Sequence, residues 1–143
     1  MGQISSSLEL PAPPEKVWAL ASDPNLFEKW LTLHVKWKGD VPAEMTKGAQ
    51  LTEVISMMGM PNTITWTVDE YEPPSKVVIS GTGMAGVKVA IQIAVTPAGE
   101  GSTFGLSTEF SGQMIVGALG KAIEKQGQKE LETSLDRFKA LVD

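Results

Sequence analysis

A single long helical stripe closes a chain that is otherwise written as strands, and that combination leaves few folds open. From Gln113 to Val142 the apolar residues Ile115, Leu119, Ile123, Leu131, Leu135, Phe138 and Val142 recur at steps of three, four and eight, which keeps them on one side of a helix. The other side carries Lys121, Lys125, Gln128, Lys129, Glu132, Asp136 and Lys139, a solvated face with Lys129–Glu132 and Asp136–Lys139 at neighbouring helical positions. Gly117, Gly120 and Gly127 stand inside this stretch, and each glycine in a helix costs about 1 kcal/mol relative to alanine. The cost implies one of two things: a backbone passing close by, or space kept for something that is not protein.

The residues before the helix alternate. Ile4, Ser6, Leu8 and Leu10 face one way and Gln3, Ser5, Ser7 and Glu9 the other, a half-buried first strand. Pro14 suits the first turn of a helix through Ala21, and Asp23 caps a second short helix containing Leu26, Phe27 and Trp30. Strand patterns then follow over Leu33–Lys38, Gln50–Met57, Asn62–Tyr71, Lys76–Gly81, Val87–Thr96 and Ser102–Phe110. The breakers Met60-Pro61, Glu72-Pro73-Pro74, Gly81 to Gly86 and Pro97 to Gly101 separate the later ones. Short connections between strands predict an antiparallel meander. Val87, Val89, Ile91, Ile93 and Val95 share one face, as do Ile64, Trp66 and Val68, and Phe104, Leu106 and Phe110. The long helix is the element left to cover that apolar side.

The expected fold is therefore α+β: a curved antiparallel sheet of about seven strands gripping a long C-terminal helix, with two short helices after the first strand. At 143 residues the chain fits one domain spanning residues 1–143.

Charge and composition narrow the function. Twelve Lys and Arg against 17 Asp and Glu give a net charge of −5, which argues against a sequence-independent nucleic-acid binder. There is no cysteine and one histidine, so Cys-based or multi-histidine metal sites are excluded and no cofactor is expected. The start of the chain lacks the basic and apolar regions of a signal peptide, and no apolar run approaches membrane-spanning length. A cytoplasmic location without stable membrane insertion is the expectation.

Strand, Pro11-Ala12-Pro13-Pro14-Glu15-Lys16-Val17-Trp18, Asp23-Pro24, Trp30, a six-strand meander with Pro97-Ala98-Gly99-Glu100-Gly101-Ser102 before its last strand, and a long helix together resemble the START-like superfamily. Within it the chain is similar to the polyketide cyclase/dehydrase branch in its bacterial single-domain form. Three further stretches, Leu33 to Gly39, Met57 to Thr63 and Gly81 to Gly86, resemble small bacterial proteins named as toxin-antitoxin toxins. The superfamily resemblance implies a helix-grip fold with a ligand cavity between the sheet and the C-terminal helix. It implies a wall of Trp66, Phe104, Leu106, Met114, Gly117, Ala118 and Lys121. Trp30, His34 and Trp37 would approach from the second helix and strand, with Met57, Met60 and Met84 at the rim.

The residues themselves add a reading of the chemistry. Methionines are flexible and polarizable, and Met57, Met58 and Met60 cluster in one turn, as suits a rim that adapts to apolar ligands; they also fill cores. Gly81-Thr82-Gly83-Met84-Ala85-Gly86 is followed by a strand pattern rather than a helix start, so it reads as a hairpin and not a phosphate loop. Acid-base candidates are His34, Tyr71, Arg137, Glu53, Glu109 and Asp69. Glu109 should face away from the apolar side. His34 is a weak catalytic candidate with no acidic partner assigned by the sequence.

The leading expectation is binding or transport of a small hydrophobic ligand, lipid-like or polycyclic, oriented by His34, Gln113 and Thr108. The alternatives are a polyketide cyclase/dehydrase-type enzyme with His34 as proton shuttle, and a toxin neutralised by a protein partner. The partners to consider are thus a small hydrophobic molecule, an antitoxin chain or a second copy.

Overall fold

A computed structural model describes residues 2–39, 41, 45–57, 60–83, 86–112 and 117–142, with only the backbone at Met57 and Leu119. The elements run β1 (Gly2–Leu10), α1 (Pro14–Ala21), a 3-10 turn (Pro24–Leu26), α2 (Phe27–Trp30), β2 (His34–Lys38), β3 (Gln50–Met57), β4 (Met60–Glu72), β5 (Lys76–Thr82), β6 (Lys88–Ala98), β7 (Gly101–Ser111) and α3 (Gly117–Val142). The strands form one seven-stranded antiparallel sheet in the order β1-β7-β6-β5-β4-β3-β2. This is the expected helix-grip architecture. Consecutive strands from β2 to β7 are neighbours, and β1 returns to pair with β7, which leaves β1 and β2 as the two edges.

Local chemistry explains the boundaries. Pro14 begins α1, where its missing N–H has no helical partner to lose. Pro13 O accepts from the N–H groups of Lys16 and Val17. Ser22 ends the helix with both its N–H and its hydroxyl donating to Trp18 O, the hydroxyl over 2.7 Å. Asp23 Oδ1 accepts from the Asn25 N–H over 2.9 Å and caps the 3-10 turn.

Two strands run past the expected breakers. β4 includes Pro61, which faces Ser56; the Ser56 N–H donates instead to Leu33 O over 2.8 Å on the β2 side. β6 includes Pro97 opposite Ser102, near the strand end, where a missing donor is tolerated.

The alternation read from the sequence is the burial pattern. Ile64, Trp66 and Val68 on β4, Val89, Ile91, Ile93 and Val95 on β6, and Phe104, Leu106 and Phe110 on β7 are buried. Glu109 is exposed. The loop after β1 is tied to the start of β7 by a buried hydrogen bond from Ser102 Oγ to Ala12 O, 2.6 Å long.

The two halves of α3 differ. From Leu131 onward the stripe of Leu131, Ser134, Leu135, Phe138 and Val142 is buried. Before it, Ile123 and Gly127 are half-buried, whereas Lys121, Ala122, Lys125 and Gln126 are exposed. The expected helix start at Gln113 to Val116 lies outside the described residues. At the first residue of α3, Gly117 has φ +59°, and a Cβ there would meet nothing within 4 Å. Its role is conformational, since side-chain-bearing residues rarely adopt that backbone.

Candidate functional site

The helical stripe steps 119, 123, 127, 131, and at 127 the residue is glycine. The missing side chain leaves a gap between α3 and the sheet. A cavity of about 80 Å³ occupies that place. Its floor is Ile4 of β1, Ile55 and Ser56 of β3, Trp66 of β4, Val89 and Ile91 of β6, and Leu106, Thr108 and Phe110 of β7. Its roof is Ile123, Gln126, Gly127, Glu130, Leu131 and Ser134 of α3, and Leu31, Thr32 and Leu33 close one side. The structure separates the two readings of this glycine. A Cβ on Gly127 would meet the tip of a side chain, Ile4 Cδ1 at 2.8 Å, and no passing backbone, while the same residue borders open space.

Polar groups pin the closing segment to the helix. The Thr32 N–H donates to Ser134 Oγ over 3.0 Å, Ser134 Oγ donates to Thr32 Oγ1 over 3.1 Å, and Thr32 Oγ1 donates to Glu130 O over 3.1 Å. These bonds hold Leu31 and Leu33 against the cavity, where both are lining residues.

Behind the floor lies a buried carboxylate. Glu53 sits on β3 between Leu51 and Ile55, at an inward position, and is 1 % exposed. Its Oε1 accepts from Trp66 Nε1 over 2.7 Å. Its Oε2 is hydrogen-bonded to His34 Nδ1. The acidic partner that the sequence left unassigned for His34 is therefore Glu53. The bulge between His34 and Lys36 in the β2–β3 pairing is the local irregularity beside which the imidazole meets Glu53. The ring also packs 5.1 Å from Trp37 and 6.4 Å edge-on from Phe27. His34 and Glu53 are not among the described residues that line the cavity; Trp66 stands between.

The expected site residues thus divide into groups. Trp66 and Leu106 line the cavity, as does Thr108. Trp30 and Phe104 lie in an aromatic cluster beside it: Phe104 stacks on Phe138 at 4.2 Å, and Trp30 meets both edge-on at 5.8 and 5.2 Å. Trp30 Nε1 is buried and has no hydrogen-bond partner among the described residues. Trp37 packs on Phe27 at 5.6 Å and donates its indole N–H to Pro24 O over 2.8 Å. Met60 is 60 % exposed at the start of β4, paired with Met57 across the hairpin. Gly117, Ala118 and Lys121 are exposed and outside the lining. Met58, Met84, Gln113 and Met114 lie outside the described residues.

Sequence reasoning missed Ile4, Ile55 and Ile123 as cavity residues, and it raised Gly127 only as one of three helix glycines that could keep space open. The signal was present in the eight-residue step from Ile123 to Leu131 across a glycine.

The family model described as polyketide cyclase / dehydrase and lipid transport matches residues 1–143. The chain belongs to this family. The chain is similar to the protein named Toxin Rv0910 of Mycobacterium tuberculosis (strain ATCC 25618 / H37Rv), 33% identical over 138 residues, covering 96% of each chain. Another, the uncharacterized protein Rv1546 of the same strain, is 32% identical over 141 residues and 99% of each chain. Solved structures share the fold at lower identity. A START superfamily protein from Mycobacterium smegmatis superposes with a TM-score of 0.79 at 14% identity, covering 98% of this chain and 96% of that one. The protein TTHA0849 from Thermus thermophilus has a TM-score of 0.79 at 21% identity, with 99% and 97% covered. No helix among the described residues is long and apolar enough to cross a membrane.

Proposed function

We propose that the protein binds a small hydrophobic ligand in the cavity under the middle of α3, around Gly127, and carries it shielded from water. The observation that carries this reading is the gap at Gly127: an apolar stripe that seals the second half of the helix is interrupted where the sheet presents Ile4, Ile55, Trp66, Val89, Ile91 and Leu106. Filling that space with the ligand's apolar surface gains about 25 cal/mol per Å². The volume of the space favours one kind of occupant. Pockets for drug-sized ligands hold about 300–1,000 Å³, and about 80 Å³ suits a slender lipid-like chain better than a fused polycycle. The family's description, which includes lipid transport, supports the same reading. His34 packs on Phe27 and Trp37 behind Trp66, a position that suits support of the cavity floor better than proton transfer to a ligand.

The test is native mass spectrometry of the protein isolated from its own host, followed by extraction of what is bound. A co-purifying apolar molecule that Gly127→Leu displaces is the expected result; an adduct retained at equal occupancy by that variant would place binding elsewhere.

A second reading, a toxin-like role through a protein partner, is favoured by the toxin-named relative and by Val35 and Met60, which are 51 % and 60 % exposed. Val35 lies on the edge strand β2, where backbone groups are open to a partner strand. Growth unaffected by overexpression would count against it.

A further inference from the structure

The cavity's charge is lopsided. Among the described residues that line it, Glu130 is the only charged side chain, and Lys, Arg and His are missing from that set. Glu130 is half-buried on α3, where its Oε1 accepts from Gln126 Nε2 over 3.3 Å. The remaining polar lining groups are the uncharged Thr32, Ser56, Thr108, Gln126 and Ser134. Hydroxyls and an amide can donate and accept toward an alcohol, ester or amide.

Resting on the carrier reading above, we infer that the cavity takes a single apolar chain ending in an uncharged hydrogen-bonding group, and rejects the same chain ending in an anion. Three effects act together. A carboxylate or phosphate drawn into this space would lose water without gaining a cation to pair with. It would approach the Glu130 carboxylate, a like charge on the more exposed side of the cavity, where its bond to Gln126 lies and where repulsion between like charges still acts at short range. It would also enter a molecule of net charge −5, whose field disfavours anions at long range.

Calorimetric titration of the intact protein with three probes of equal chain length separates these ideas: decanol, decanoate and decyltrimethylammonium, at about pH 8, where a carboxylic acid is ionised. Decanol is expected to bind at least about tenfold more tightly than decanoate, with the trimethylammonium probe also ahead of decanoate. Glu130→Gln narrows the decanol-to-decanoate ratio at least about threefold. Decanoate binding as tightly as decanol overturns the head-group inference and leaves the carrier reading standing. An unchanged ratio in Glu130→Gln removes Glu130 as its cause. Failure of all three probes to bind overturns the carrier reading and this inference with it.

Discussion

Trp66 lines the cavity and, over 2.7 Å, donates its indole N–H to Glu53 on the neighbouring strand. Leu51 is the direct cross-strand partner of Trp66 and Glu53 that of Ile64, so the bond runs along the diagonal of the β3–β4 ladder, within reach of a long side chain. Glu53 is 1 % exposed and holds His34 through its second oxygen. The ring that forms the floor is thereby fixed by a carboxylate that is itself fixed, and the cavity's shape depends on a polar contact outside it.

Glu53→Ala removes the acceptor for two buried donors at once. Each donor left without a partner costs about 1–3 kcal/mol, so a loss of about 2–6 kcal/mol is expected in urea denaturation. Glu53→Gln keeps the shape and an oxygen for Trp66, and its loss should be less than half as large. Equal stabilities for Glu53→Ala and the parent would show that the network contributes nothing net.

Ser102→Ala tests the tie between the loop after β1 and β7. The substitution leaves Ala12 O without the 2.6 Å bond it receives from Ser102 Oγ in a buried setting, at an expected cost of about 1–2 kcal/mol. The measurement is the denaturation midpoint, which should fall at unchanged slope. A change in slope would mean that the variant altered compactness instead.

Most of the fold was legible because period-two and helical patterns survive wherever one face is buried, as in Val89 to Val95 and Leu131 to Val142. The proline-bearing rungs at Pro61 and Pro97 were not, because whether a missing N–H matters depends on which neighbour the opposite residue serves. The site was legible in part. Trp66 and Leu106 follow from strand parity, but parity alone also selects Phe104, which stacks on Phe138 instead of lining the gap. What separates them is their height along the helix, and that is set by Gly127, on a different element and far from either strand residue in sequence. The His34–Glu53 pair was hidden for a related reason: it requires the bulge between His34 and Lys36 and the pairing of β2 with β3, neither of which a pattern of apolar residues reports.

Phe138→Ala and Leu106→Ala should separate core from cavity. Phe138 is fully buried and stacked on Phe104 at 4.2 Å, so its truncation costs about 3–5 kcal/mol and leaves the cavity walls in place. Leu106 lines the cavity. Its truncation also destabilises, by about 2–5 kcal/mol, but it adds the lost side-chain volume to an existing space. Titration with alkyl chains of increasing bulk is the measurement: Leu106→Ala is expected to accept a branched chain that the parent refuses, and Phe138→Ala to keep the parent's preference. The reverse pattern would put the binding space in the aromatic cluster.

Gly127→Leu is the most direct test of the gap. The new side chain would extend the stripe of Ile123 and Leu131 into the cavity that Gly127 now borders. Replacing a mid-helix glycine recovers about 1 kcal/mol of helix propensity, and burying the leucine adds about 1.5–3 kcal/mol. Against this stands the approach of the Cβ to Ile4 Cδ1 at 2.8 Å. The atom it meets is the tip of a flexible side chain beside open space, so a rotamer change can relieve the contact at a cost of about 0.5–1.5 kcal/mol. The variant should therefore be as stable as the parent or more so, while its affinity for an apolar probe falls at least about tenfold. Gly127→Ala serves as the control, since it moves Ile4 without filling the space. Its probe affinity should stay within about threefold of the parent's. If Gly127→Leu binds the probe as tightly as the parent does while remaining folded, the ligand site lies outside the gap beneath α3.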